Sequence, residues 1–302
     1  MPSSLPFRFR RTRVLIVGCG DVGVRVVRHL PRRVRILALT QQPERIPELR
    51  ALGIVPLVGS LDKPATLRRL AGLARRIVHL APPPTIGNRD PRTRNLLHAL
   101  RRRTPPLRLV YGSTSGVYGD CQGEWITETR PTNAQTARGK RRVDAETQIR
   151  HWKGLGSILR IPGIYAPNRE GGTPIARLQK GTPVLQAQDD VFTNHIHADD
   201  LARACCAALW RGKPQRVYHV NDDTVLKMGD YFDWAADFYG FPLPTRISRA
   251  DAAIEIGAMQ LSFMSESRRM VNTRLKKELR LVLRYPQIQQ GLADSSTASF
   301  TN

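Results

Sequence analysis

Long apolar runs are missing from this sequence. No stretch reaches the roughly 18 residues a membrane-spanning helix needs, which excludes a chain built around such helices. Cysteine is scarce. The four present, Cys19, Cys121, Cys205 and Cys206, include an adjacent pair but no Cys-x-x-Cys, which excludes a disulfide framework and a thiolate zinc site. Reduced thiols in a cytoplasmic protein are the expectation, with Cys205 and Cys206 in LARACCAALW as small core residues of a helix. The opening MPSSLPFRFRRTR has no apolar core for a secretory signal. Acid is scarce too: 25 Asp and Glu face 48 Lys and Arg, a formal charge of +23. Eight of the basic residues are Lys and 40 are Arg. They form only short clusters, at 8–13, 101–103 and 138–142, with no zinc finger, no aromatic RNA-binding motif and no long basic tail. A solvated, Arg-rich surface is expected, binding nucleic acid only non-specifically and in a salt-sensitive way.

What is present is a rhythm. Short apolar runs occur at 13–18, 34–39, 54–58, 76–81, 107–111 and 157–161, separated by amphipathic stretches such as VGVRVVRHL, ATLRRLAGL and RTRNLLHALRRR. Strands alternating with helical patterns imply βαβ units and a parallel sheet. The runs are β-branched and apolar on both faces, as a sheet covered by helices requires. After about residue 165 turn-rich pieces separate a helix near 199–211, a strand near 216–220 and helices near 227–239 and 249–257. The fold class read from this is α/β, a doubly wound parallel sheet of Rossmann type with a smaller C-terminal α/β lobe. The expected division is a dinucleotide-binding domain over 1–165 that also takes in 190–221. A substrate lobe and tail follow over 166–189 and 222–302, with DSSTASFTN fraying at the end.

The first strand runs into GCGDVG, a G-x-G-x-x-G at Gly18, Gly20 and Gly23. In that pattern the first glycine permits a tight turn, the second lets backbone approach a pyrophosphate, and the third lets the following helix pack close to the strand. The helix opening at Asp21 and Val22 offers free N–H groups and a positive dipole end. A strand before the motif and an amphipathic helix after it are the context that makes dinucleotide binding the expected function. NAD-specific sites place a carboxylate at the end of the second strand. Here that position reads Thr40-Gln41-Gln42, with Arg45 beyond, which leans toward NADP over NAD.

These residues resemble those of the extended short-chain dehydrogenase/reductases, the NAD(P)-dependent epimerase/dehydratase family. The resemblance rests on GCGDVG, HLAPP (79–83), STSGVYGD (113–120), Lys140 with Glu146 in GKRRVDAE, LRIPGIYAPNR (159–169) and HIHADDLARA (195–204). It implies cofactor contacts at Ser60, Leu61, Ala81, Pro82, Pro162 and Ile164 beside those of the glycine loop. It implies substrate polarisation by Thr114, and a nicotinamide-ribose contact by Lys140. In the family that lysine also lowers the pKa of a Tyr four residues earlier, one turn away on the same helix face, which exchanges a proton while hydride moves.

Here the residue four before Lys140 is Thr136. The tyrosine is missing, and a Thr hydroxyl is too weak an acid to replace a phenol that titrates near 10. Tyr165 is a candidate replacement, while Tyr118 is expected in the core. Ser115, Arg169, Asn194 and His195 are candidates for the substrate cleft, where an Arg suits an anionic group. His195 and His197 share one face of a strand, but no third ligand clusters with them, so no metal is expected. His79 and His98 read as core or surface residues. The expected function is an NAD(P)-dependent oxidoreductase or epimerase-like enzyme with an altered active site, acting on a sugar nucleotide or another anionic small molecule. A non-catalytic NADP(H)-binding sensor is the alternative. Homodimers are what the resemblance implies.

Overall fold

The computed structural model describes residues 11–152, 154–256, 261–262 and 264–294; the expected frayed end lies outside them beyond Asp294. Seven parallel strands form the central sheet: β1 (Arg13–Val17), β2 (Arg35–Thr40), β3 (Val55–Val58), β4 (Arg76–His79), β5 (Arg108–Thr114), β6 (Leu155–Ile161) and β7 (Arg216–His219). Their order is β7-β6-β5-β4-β1-β2-β3. β1 sits between β2 and β4, with Leu15 opposite Leu37 on one side and Ile77 on the other. Val14, Leu15 and Ile16 are wholly buried, which is why this run reads as continuously apolar rather than alternating. Trimming Leu15 to Ala here costs about 3 kcal/mol.

The connecting helices are α1 (Asp21–His29), α2 (Ile46–Ala51), α3 (Pro91–Leu100), α4 (Ala137–Arg150) and α5 (Ala198–Arg211). Asp90 caps α3 by accepting the Thr93 N–H (3.1 Å), with Pro91 at the first helical position, a combination that starts helices for local reasons. The stretch ATLRRLAGL, expected to be α-helical, is instead a 3₁₀ helix over Pro64–Leu70. Its flanking bonds span three residues, as in Thr66 N–H to Lys63 O and Ala71 N–H to Arg68 O. Lys63-Pro64 at one end and Gly72 at the other leave too few residues for a settled α-helix.

The chain divides into two compact units. The first holds the chain up to Ser113, Asp144–Leu159 and Ala202–Val217; the second holds Thr114–Val143, Arg160–Leu201 and the chain from Tyr218 onward. This differs from the expected boundary near 165. The segments that follow the ends of β5, β6 and β7 belong with the late elements, so 114–143, 160–165, 190–201 and 218–221 leave the dinucleotide unit. Chain order hid this, because a strand's last residues and the strand itself fall in different units. The first unit's core includes Leu15, Leu37, Ile77, Leu96, Leu109 and Trp152. In the second, Tyr165, Val184, Tyr231, Phe232 and Ile288 pack around α6 (Met228–Tyr239). Short strand pairs complete it, 163–165 with 195–197 and 125–126 with 269–270, both parallel. Among the described residues, no helix is long and apolar enough to cross a membrane.

Candidate functional site

In the first unit a cleft of ≈ 200 Å³ opens at the mouths of β1, β2 and β4. Among the predicted cofactor residues, Gly18, Gly20, Thr40, Gln41, Arg45, Leu61, Ala81 and Pro82 line it. The glycines divide the work as their spacing requires. Gly18 has φ +90, and a Cβ there would lie 2.3 Å from the Ala81 nitrogen, so only glycine makes this turn. A Cβ on Gly23 would meet the Gly18 carbonyl at 2.8 Å, which keeps α1 close to the strand. A Cβ on Gly20 meets nothing within 4 Å: backbone faces open space there. Gly20 is the N-cap of α1 and makes no side-chain cap, so the first-turn N–H groups at Val22 and Gly23 are available to an anion. The Asp21 carboxylate is turned to Arg25 one turn on (3.0 Å). This cradle fits the diphosphate of a dinucleotide.

The cleft's electrostatics are one-sided. No acidic side chain lines it, whereas Arg45 and Arg92 do. Arg45 donates to the Cys19 carbonyl (2.8 Å) and through Nε and Nη2 to the Glu48 carboxylate (3.0 and 2.9 Å). Arg92 forks onto Asp62 (2.8 and 2.7 Å) and holds that carboxyl below its usual range. Arg92 escaped the sequence reading, although Asp90-Pro91 marked a helix start that places it in a first turn. Ser60 stands just outside the lining, within 3.4 Å of the Gln41 amide oxygen and accepting the Asp62 N–H. Cys19 lines the cleft, and burial pushes its thiol up to about 11, so it stays protonated and a poor nucleophile.

The second unit carries the candidate catalytic residues. Thr114 ends β5 and accepts the Gly116 N–H (3.3 Å), capping a single 3₁₀ turn over Ser115–Val117. Gly139, in the first turn of α4, lies against it: a Cβ there would approach the Gly116 carbonyl to 2.8 Å. The start of α4 and the 114–116 turn are therefore in direct contact. Thr136 accepts the Gly139 N–H with its side chain (3.1 Å) and the Lys140 N–H with its carbonyl (2.9 Å). It is the helix cap. Lys140 is exposed, its ammonium without a partner among the described residues.

Two groups at this turn come from far along the chain. The Glu266 carboxylate lies 3.8 Å from where a Cβ on Gly116 would stand, and it pairs with the buried Arg268. Nothing local in ESRRM signals this.

The other predicted residues lie elsewhere. Ser115 is half-exposed in the turn; Pro162, Ile164 and Arg169 are half-buried, all in the second unit rather than in the cleft. Asn194 spends its amide on backbone, donating to the Arg268 carbonyl (2.9 Å) and accepting the Met270 N–H (2.9 Å). His195 packs against Tyr231 with ring centres 5.0 Å apart, and burial holds it down at about 4. Tyr165 is buried, its hydroxyl unpartnered, and desolvation raises its pKa, the wrong direction for proton exchange at neutral pH. Tyr118 is in the core, accepting from Arg160 (2.6 Å) and bonded to His219. Among the described residues no group of three or more His, Cys, Asp or Glu could hold a metal.

The model of the NAD dependent epimerase/dehydratase family matches residues 14–221, more than half of the chain. The chain belongs to that family. Within it, this member is similar to protein YeeZ of Escherichia coli strain K12, 30% identical over 123 residues, which cover 40% of this chain and 42% of YeeZ. The match thus spans less than half of that relative. A conserved protein of unknown function from Silicibacter pomeroyi DSS shares the fold at TM-score 0.78 and 29% identity, over 96% of this chain and 100% of that one. MoeE5, solved with UDP-glucose and NAD, shares it at TM-score 0.73 and 20% identity, over 93% and 96%.

Proposed function

We propose that this family member is a nicotinamide-dinucleotide-dependent oxidoreductase or epimerase-like enzyme acting on a hydroxyl or carbonyl of an anionic small molecule. The observation that carries the reading is the cradle at Gly18–Gly23: a positive-φ turn, an open backbone face and an uncapped helix start in one cleft without acid. The α1 N–H groups hold the diphosphate and the helix dipole offsets its charge. Two arginines line the cleft and no carboxylate stands at the end of β2, which suits a 2′-phosphate better than a bare diol, so NADP(H) is the coenzyme of this reading. The coenzyme, when bound, supplies hydride transfer. The NAD in the MoeE5 structure supports the nicotinamide part of the reading, and UDP-glucose there supports a sugar-nucleotide class of substrate.

At the turn, Thr114 uses a lone pair on Gly116 and keeps its O–H to donate to a substrate oxygen. Lys140 supplies a free ammonium. Thr136 is committed to the helix cap, so proton exchange falls to a carboxylate, Glu266, held in place by Arg268. The test has two stages. Titration of the purified chain with NADPH and NADH should give a saturable fluorescence change; no affinity for either ends the reading. Hydride exchange across a panel of sugar nucleotides and carbonyls then finds the substrate. Glu266→Gln should lower kcat at least 100-fold with the coenzyme Kd unchanged. A second reading, a redox sensor without turnover, is favoured by the Thr136 cap, and steady turnover on any substrate rules it out.

A further inference from the structure

We propose that a groove on the first unit, between the 3₁₀ helix Pro64–Leu70 and α3, is a binding site for a linear polyphosphate anion. The groove has a volume of ≈ 400 Å³ and its polar walls are Arg68, Arg94, Asn95, His98 and Arg102. No acidic side chain lines it. Arg68, Arg94 and Arg102 are exposed, and none has an ionic partner among the described residues. Exposed arginines without an ionic partner among the described residues occur elsewhere in this unit, as at Arg32, Arg33 and Arg35, whereas those lining the dinucleotide cleft are held by acid, Arg45 by Glu48 and Arg92 by Asp62. The groove differs from both in bringing three unpaired arginines to the walls of one concavity.

The arrangement suits a chain of phosphates. Arg94 and His98 are four residues apart on α3 and so share one helix face, about 6 Å apart along the axis. Arg102 extends the row in the turn after the helix, its N–H on the Ala99 carbonyl (3.3 Å). Arg68 stands on the opposite wall. Guanidinium forks bind phosphate oxygens in pairs, and a row of them with one facing partner matches a flexible anion laid along the groove. Short residues, Pro64, Ala65 and Ala99, leave the room. Apart from the His98 imidazole no aromatic ring lines the groove, so a nucleobase has little to stack on. The Asn95 amide donates to the Leu61 carbonyl (2.8 Å), and Leu61 lines the dinucleotide cleft, so one hydrogen bond ties the groove wall to the cleft wall. The site does not rest on the coenzyme reading.

Calorimetric titration of the full chain with inorganic tripolyphosphate, with ATP and with a single-stranded oligonucleotide, at equal phosphate and low salt, tests it. The groove triple variant Arg68→Gln, Arg94→Gln, Arg102→Gln is compared with Arg32→Gln, Arg33→Gln, Arg35→Gln, which removes the same charge from exposed positions elsewhere. The groove variant should weaken tripolyphosphate at least tenfold and the matched variant less than twofold. ATP should bind as tripolyphosphate does. Tripolyphosphate binding should weaken as salt rises from about 50 to about 200 mM, since these exposed charges are screened. Melting curves verify folding, and Arg94→Gln alone, expected to weaken binding about threefold, serves if a triple variant does not fold. Equal loss in both variants, no loss in the groove variant, or no binding of tripolyphosphate overturns the proposal. An oligonucleotide that binds more tightly per phosphate overturns it in favour of nucleic acid.

Discussion

Gly20→Asp separates coenzyme binding from folding. Gly20 caps α1 in an extended conformation without a side-chain bond, and a Cβ there enters open space. Aspartate is among the best N-cap residues and gains a few tenths of a kcal/mol over glycine, with a similar gain from the helix dipole. Melting should therefore stay level or rise by about 1–2 °C. The same carboxylate stands where a diphosphate approaches. At about 5 Å and an effective dielectric near 20, one unit charge repels another by roughly 3 kcal/mol, on the order of a 100-fold loss in affinity. Gly18→Ala behaves otherwise. Its φ of +90 and the 2.3 Å approach to Ala81 cost folding itself on the order of 1–3 kcal/mol. NADPH fluorescence titration beside thermal melting reads both variants. A Gly20→Asp chain that melts normally and binds NADPH within threefold of the native chain would show that no diphosphate sits at this helix start, and the reasoning would fail.

Two more outcomes follow from charges in place. Arg45→Ala removes a cation that lines the cleft; NADPH should weaken about tenfold and NADH hardly at all in paired titrations, and equal weakening would assign Arg45 to the fold. Asp222 is buried in the second unit, and desolvation raises its pKa from 3.8 to about 8. The folded chain holds that proton through neutral pH while the unfolded chain releases it above about 4, so stability drains away as pH rises from about 4 to about 8. Asp222→Asn removes the loss: its melting advantage over the native chain should grow between pH 5 and pH 8, by several kcal/mol at most, and a constant gap refutes the assignment.

The sheet was legible because its causes are local. Six of its strands are apolar runs bounded by turn residues, and the glycine loop follows the first of them. Eight predicted contacts line one cleft because they sit at the ends of adjacent strands. What escaped was set by distance along the chain. Glu266, paired with Arg268, meets Gly116 150 residues away along the chain, which no spacing rule reports. The 3₁₀ geometry of Pro64–Leu70 kept the apolar pattern expected of an α-helix, since Leu67 and Leu70 still face inward; periodicity over so short a stretch does not separate the two. Asn194 read as a substrate contact because ligands of such sheets bind beyond the carboxyl ends of the strands, but here both of its polar atoms bond the backbone of Arg268 and Met270.

The missing phenol sharpens into a question about Tyr165, the one tyrosine that chain position offers as its substitute. A proton-transfer phenol needs water or substrate within reach and a neighbour that favours the phenolate. Tyr165 has the reverse. Its ring packs against His195 and His197, a Cβ on Gly291 would come within 2.6 Å of its hydroxyl, and burial with Asp222 and Asp200 nearby raises its pKa. The hydroxyl makes no hydrogen bond, so burying it costs free energy with nothing returned. Tyr165→Phe keeps the ring and deletes that atom. It should stabilise the chain by about 1 kcal/mol or more, with turnover unchanged once a substrate is known. A catalytic phenol predicts the opposite pair, a rate loss of 100-fold or more at level stability. Measuring melting and kcat on the one variant therefore decides whether proton exchange left the tyrosines altogether, as a capped Thr136 beside a carboxylate at Gly116 requires.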